Sequence, residues 1–290
     1  MKGRCNAAAH ADRSALFICA IPTAISSSWP RRWRVKTEPP GLRNPRVWAV
    51  PLLCLLGFAT LWATGSNEAL FRLLNRLGPL SNDALWASIT ILGDTLVAIA
   101  LAGLLARRRP DILWGLLLAA IFATLWVHGI KTLAGALRPL AVLGPEQVHV
   151  IGHALRSGSF PSGHTATAFT LAGVFMLRGT PRWLAGGLLL LAVLAGISRS
   201  AVGAHWPLDL FAGAFGGWLA AVIGSRLANC WDWGIRPEPA HGIRIFFLLC
   251  AVALLTLHDT GYPQAQWLQW SIGVAATLGL GSVIWRDWRR

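Results

Sequence analysis

The sequence predicts an all-α protein, a polytopic membrane bundle of about eight transmembrane helices: a core of six, then two more at the C-terminal end. Three observations carry this. Of 290 residues, 54% are hydrophobic and 13% charged, against about 25% charged in a soluble domain. The apolar residues fall in long runs separated by short basic groups. Many of the sixteen tryptophans stand near run ends, as Trp48, Trp62, Trp86, Trp114, Trp126, Trp183, Trp267 and Trp285 do, where an interfacial belt belongs. The net charge of +14 could suit nucleic acid, but the basic groups are dispersed as topology signals are, so nucleic acid is excluded as a partner.

Residues 1–46 read as a poorly ordered cytoplasmic extension. Ala15–Ile25 resembles a signal-peptide core, but Pro22 interrupts it and it is too short to span a bilayer. Six basic residues between Arg31 and Arg46 hold this end in the cytoplasm. The first span is Val47–Thr64. Ala69–Leu77 has the pattern of a short amphipathic surface helix. Spans two and three run from Trp86 to Ala106 and from Ile112 to Ile130. After a polar segment, 139–160, span four covers Pro161–Leu177, span five Trp183–Ile197 and span six Pro207–Leu227. Residues 47–228 form the core on this reading, and 229–290 add Ile243–Leu257 and Trp267–Trp285.

Eight spans put both termini on one side, with seventeen Lys and Arg there from residue 31 onward. The other side has Arg72, Arg76 and Arg156, together with Lys131, Arg138 and Arg199 at helix ends where positive charge is disfavoured. The same ends of spans three to six carry Ser162, His164, His205 and Asp209, which short connections make neighbours. Pro161-Ser162-Gly163-His164 opens a helix, whose unpaired N–H groups and dipole favour an anion. His205 and Asp209, four apart, share a face, so the carboxylate can fix one ring nitrogen and leave the other as a nucleophile. Three cations beside such a pair suit a phosphoryl group. Asp94 in span two either lines the pocket or caps a kink; His128, one turn before Lys131, either lines the pocket or faces the interface. His149, His153 and Arg156 are headgroup candidates, and Trp206 is interfacial packing. The five cysteines have no metal-ligand spacing, and Cys54 and Cys250 lie in apolar runs as small hydrophobic residues. No metal site or cofactor is expected, and nothing sets an oligomeric state.

Lys131 and Arg138-Pro139 (K-x6-R-P), Pro161–His164 (P-S-G-H) and Ser198-Arg199 with His205 and Asp209 (S-R-x5-H-x3-D) together resemble the three-part signature of the type 2 phosphatidic acid phosphatase superfamily, complete and in order over residues 131–209. The resemblance implies that His205 forms a phosphohistidine, that Asp209 orients it, and that His164 serves the leaving oxygen and then activates water. It further implies that Lys131, Arg138 and Arg199 clamp the phosphate with Ser162 and the Gly163 N–H, and that Ser198 adds a hydrogen bond. No metal is required. The expected partner is a lipid phosphate at the outer face of a bacterial cytoplasmic membrane: undecaprenyl diphosphate first, then phosphatidate, phosphatidylglycerol phosphate or lipid A. Two other functions remain open, a phosphotransferase using the same intermediate and a non-catalytic anionic-lipid binder or transporter. Vanadate-dependent haloperoxidases share the pocket chemistry but are soluble.

Overall fold

The computed structural model describes residues 40, 41 and 43–289, so the expected extension over residues 1–46 lies largely outside the described residues. Among these, every regular element is helical. Helix α1 (Pro45–Thr64) is followed by two short helices, α2 (Asn67–Asn75) and α3 (Leu77–Leu80), where the amphipathic pattern predicted one. Next come α4 (Asp83–Ile91), α5 (Thr95–Leu105), α6 (Pro110–Ala134) and the short α7 (Pro139–Leu143). The chain continues through α8 (Gly163–Leu177), α9 (Arg182–Ala201), α10 (Pro207–Cys230), α11 (Pro237–Thr256) and α12 (Gln266–Trp288).

All eight apolar runs are helical, but two differ from simple spans. Among the described residues, six stretches are long and apolar enough to cross a membrane: Val47–Thr64, Pro110–Leu143, Arg182–Ala201, Pro207–Cys230, Pro237–Thr256 and Pro263–Trp288. The second run is broken, with α4 and α5 bent by 67° about Leu92–Asp94. The fourth, α8, has 15 residues, or about 22 Å, short of a hydrocarbon core of roughly 30 Å. Most of α8 is buried against its neighbours.

The break in the second run decides the role of Asp94. Its carboxylate accepts from the N–H groups of Leu96 (2.9 Å) and Val97 (3.2 Å), which makes it the N-cap of α5. Asp94 Oδ1 is also 3.0 Å from His258 Nε2. It is thus the kink cap, with its charge directed to the α5 N-terminus and to the C-terminal hairpin.

Helix α10 is the axis of the core and packs on α1, α6, α8 and α9. Its glycines let α8 come close. A Cβ on Gly213 would run into the Ser162 carbonyl, and one on Gly217 into the Ala166 carbonyl. In lipid, where apolar burial gives helices no preference for one another, this small-residue contact supplies the packing. Trp218, fully buried, donates from Nε1 to the Val47 carbonyl (2.9 Å) and fastens α10 to α1. At the bundle end where α6 begins, buried Arg178 bridges Asp111 (3.3 Å) and the Ser225 carbonyl (2.9 Å), joining α8, α6 and α10. Helices α11 and α12 pack on each other and on α5, and Phe247 and Leu280 enter the same apolar core as α6, α8 and α10.

Candidate active site

The site forms where α6 ends and α8 and α10 begin. Helix α6 terminates at Gly135, whose φ of +53° is a left-handed cap, and Lys131 stands in its last turn. Chain reversal then brings residues 135–138 beside 156–159: Arg138 N–H donates to the Arg156 carbonyl (2.9 Å) and Ser159 N–H to the Ala136 carbonyl (3.0 Å). The Arg138 guanidinium, 6% exposed, donates to the carbonyls of Ser157 (2.8 Å), Gly158 (3.3 Å) and Ala204 (3.0 Å). It therefore ties the loop before α8 to the loop before α10.

Ser162 is the N-cap of α8. Its oxygen accepts from Thr165 Oγ1 (2.9 Å), which leaves its own O–H to donate elsewhere. Ser162 N–H donates to the Asp209 backbone carbonyl (3.0 Å), so the first turns of α8 and α10 are locked together. His164 follows, half-buried, with its Nε2 enclosed and without a protein partner. The backbone of His164 lies against Gly93, where a Cβ would meet its carbonyl at 2.8 Å. The kink between α4 and α5 is what makes this approach possible.

His205 sits in the turn between α9 and α10, 2% exposed. Its N–H donates to the Arg199 carbonyl (3.1 Å), and its own carbonyl accepts from Ser200 Oγ (2.9 Å). Nδ1 is 3.2 Å from Asp209 Oδ2. That oxygen also accepts from the Trp206 N–H (2.9 Å) and Ser159 Oγ (2.5 Å). Pro207 occupies the first helical position, so Asp209 at the third reaches back to the N-cap N–H. Burial first, then the charges of Arg138, Arg199 and Lys131, hold the His205 imidazole well below its ordinary range; it is neutral at pH 7.

Arg199 is buried in the last turn of α9. It donates to Thr90 Oγ1 (2.7 Å) and to the Tyr262 hydroxyl (2.8 Å), and its Nε is enclosed without a protein partner. Lys131, Arg138, Arg199, His164, His205 and Asp209 lie close enough to feel one another's charge. Lys131, His128, Gly163 and His164 line one cavity. Asp94 does not line it, which follows from its capping role.

Two expectations need adjustment. The Ser198 hydroxyl donates to the Ala195 carbonyl of its own helix (2.7 Å), as serines within helices commonly do, so its proton is already engaged. The outer-loop histidines bind protein. His149 Nε2 is 2.9 Å from Asp83 Oδ1, and the His153 ring lies against Gly261. Trp206 packs on Phe71 (ring centroids 5.1 Å apart) and donates to the Leu137 carbonyl (3.0 Å). Sequence reasoning missed Ser159, Thr90 and Tyr262. Ser159 stands three residues before Ser162 and was legible as part of the same loop. Thr90 and Tyr262 carry no local signal, since only folding brings them to Arg199.

A buried His–Asp pair within reach of the charges of three cations, set at one end of an apolar helix bundle, is suited to a phosphoryl group. Comparison with known proteins specifies the family. The family model of the PAP2 superfamily matches residues 112–232. An undecaprenyl-diphosphatase of Sulfolobus acidocaldarius is 30% identical over 159 residues, 54% of this chain and 76% of that one. A lipid A 4'-phosphatase of Bacteroides thetaiotaomicron is 35% identical over 105 residues, 34% of this chain and 47% of that one. Among solved structures, Aquifex aeolicus LpxE is 34% identical, with a TM-score of 0.49, covering 55% of this chain and 93% of that one. The chain belongs to the PAP2 superfamily; it is a membrane phosphatase.

Proposed function

We propose that this phosphatase hydrolyses a lipid phosphate through a phosphohistidine on His205, without a metal ion, at the outer face of a bacterial cytoplasmic membrane. The observation that carries the mechanism is the buried 3.2 Å contact of His205 Nδ1 with Asp209, within reach of the charges of Arg138, Arg199 and Lys131. With Nδ1 held there, Nε2 keeps its lone pair for phosphorus. As the Nε2–P bond forms, the P–O bond to the leaving group breaks, and the departing oxygen takes a proton from His164. Water then gives a proton to His164 and attacks the phosphohistidine; the P–N bond breaks and inorganic phosphate leaves.

Lys131, Arg138 and Arg199 face the oxygens whose charge grows in each transition state, joined by the Ser162 O–H and the Gly163 N–H. Arg199 Nε and His164 Nε2, enclosed and lacking protein partners, are the donors a bound phosphate would satisfy. Among lipid phosphates, undecaprenyl diphosphate is favoured because the relative named for it is matched over the larger share of its length, 76% against 47%. Phosphatidate, phosphatidylglycerol phosphate and lipid A are the alternatives.

The test is phosphate release from undecaprenyl diphosphate by purified protein in detergent with EDTA. Turnover is expected in EDTA, and His205→Ala should lower kcat by about a thousandfold or more while still binding vanadate. A strict metal requirement, or near wild-type turnover by the variant, would overturn the mechanism.

A further inference from the structure

Helix α2 lies outside residues 112–232 that match the family model, and none of its residues belongs to the three motifs. Asn67, Phe71 and Asn75 stand four apart along it. That spacing puts them on one face, over about 12 Å of helix. Each meets the stretch of chain that carries His205. Buried Asn75 donates from Nδ2 to the carbonyls of Ser200 (3.2 Å) and Ala201 (3.1 Å), the last residues of α9. Phe71, fully buried, packs on Trp206, the residue after His205. Asn67 Oδ1 accepts from the Leu208 N–H (3.0 Å) in the first turn of α10. The helix thus grips the chain before, beside and after the nucleophile. Asn75 also fastens the outer loop: Nδ2 donates to the His149 carbonyl (2.8 Å), and Oδ1 accepts from the His149 N–H (2.9 Å). A helix of nine residues is marginal by itself, so α2 takes its place from contacts such as Phe71 buried with Leu140 and Val148.

We infer that α2 is a brace that sets the position of His205, with Asn67 and Asn75 as positioning residues for the nucleophile. The inference rests on the proposed role of His205 and deepens it. Residues 202–206 belong to no helix, and Gly203 within them has a φ of +75°, so the turn draws little stability from its own backbone. The Leu208 N–H and the Ala201 carbonyl are helix-end groups without partners in their own helices. The two asparagines satisfy them and so tie the start of α10 to the end of α9. Asp209 orients the imidazole relative to α10, and α2 holds α10 at that point. The cations have other anchors: Thr90 and Tyr262 hold Arg199, and the Ser157 and Gly158 carbonyls hold Arg138. Loosening α2 therefore moves the nucleophile and leaves those two phosphate-binding cations in place. Such a displacement lowers kcat more than it raises KM.

The experiment measures kcat and KM for undecaprenyl diphosphate and dioleoyl phosphatidate, and inhibition by inorganic phosphate. The purified proteins are wild type, Asn67→Leu, Asn67→Asp, Asn75→Leu, Leu73→Ala and His205→Ala. Asn67→Leu and Asn75→Leu should each lower kcat by about tenfold to a hundredfold, with KM and the phosphate inhibition constant within about threefold of wild type. Asn67→Asp keeps an oxygen for the Leu208 N–H, at a helix N-terminus that favours a carboxylate, so its kcat should stay within about threefold of wild type. Leu73→Ala, on the exposed face of α2, should leave every constant unchanged. If Asn75→Leu does not accumulate in the membrane, the two Asn67 variants carry the test. Wild-type kcat in Asn67→Leu, or equal losses in Asn67→Leu and Asn67→Asp, overturns the brace and leaves the phosphatase reading intact. A raised KM and phosphate inhibition constant with unchanged kcat would mean that α2 serves the cations, and overturns it too. Wild-type turnover by His205→Ala, or no phosphate release by wild type from either lipid, overturns the proposed function, and the inference with it.

Discussion

At the scale of single residues, Tyr262 has the most to teach. It is the sole tyrosine of the chain, stands in the connection between α11 and α12, and its hydroxyl accepts from the Arg199 guanidinium at 2.8 Å. Thr90 holds the same guanidinium nitrogen from α4. Removing the hydroxyl should loosen Arg199 without removing its charge. Tyr262→Phe is expected to raise KM for the lipid phosphate by roughly threefold to tenfold, with a smaller change in kcat, since a hydrogen bond to a charged group is involved. Thr90→Val should act in the same direction, and the double variant more strongly than either alone. Steady-state kinetics on the three variants check this; equal falls in kcat with unchanged KM would assign Tyr262 to packing instead. The depressed His205 imidazole has its own signature. A group held below its ordinary range stays neutral until pH falls through that lower value, so the ring keeps a lone pair throughout the neutral region, as the proposed mechanism requires. The acid limb of kcat/KM that belongs to His205 should therefore lie below about pH 6.5, its ordinary value. A limb that vanishes in His205→Ala with a midpoint above pH 7 would contradict the electrostatic reading.

At the scale of elements, the site depends on helix starts and breaks more than on the spans themselves. Three first turns or breaks meet there: the α8 N-terminus with Ser162, the α10 N-terminus with Asp209, and the α4–α5 kink with Gly93 against His164. The α8–α10 contact sets the distance between the first two, and Gly213 and Gly217 set that contact. Gly217→Leu would force the helices apart at the Ala166 carbonyl and, through α8, move Ser162 and His164 away from His205. Turnover is expected to fall by about a hundredfold or more, because a misplacement near 1 Å already costs that much. Gly242→Leu, on α11 with nothing near its missing Cβ, should be close to neutral. Phosphate-release rates for the pair, at matched membrane content, make the comparison; similar losses in both would show that close α8–α10 packing is not what positions the histidines.

At the scale of the whole molecule, the charge bias and the eight apolar runs predict both termini in the cytoplasm and the histidines on the other side. A C-terminal green fluorescent protein fusion should fluoresce and a C-terminal alkaline phosphatase fusion should be inactive; the reverse pattern would invert the topology.

Hydropathy and basic groups made the bundle legible, since in lipid every backbone polar group must be satisfied within helices and long apolar runs have few other outcomes. The motif residues were legible because each lies at a helix end, where sequence order alone brings it to the mouth of the bundle: Lys131 ending α6, His164 opening α8, Arg199 closing α9 and Asp209 opening α10. What the sequence left open was decided by folding. Asp94 became a cap because the chain bends at Gly93, and hydropathy does not register a bend. Ser198 turned to its own helix carbonyl, a choice set by rotamer and packing. The last two helices came to lie on α5, which brings Tyr262 to Arg199 and Phe247 to the cavity that Lys131 lines, across separations no periodicity reports. The sequence by itself determined the membrane bundle and the chemistry of its charged end, because both follow from local composition and spacing. Only the tertiary structure decided which side chains hold the cations in place and what encloses the cavity at Lys131, because those contacts exist only when distant helices pack together.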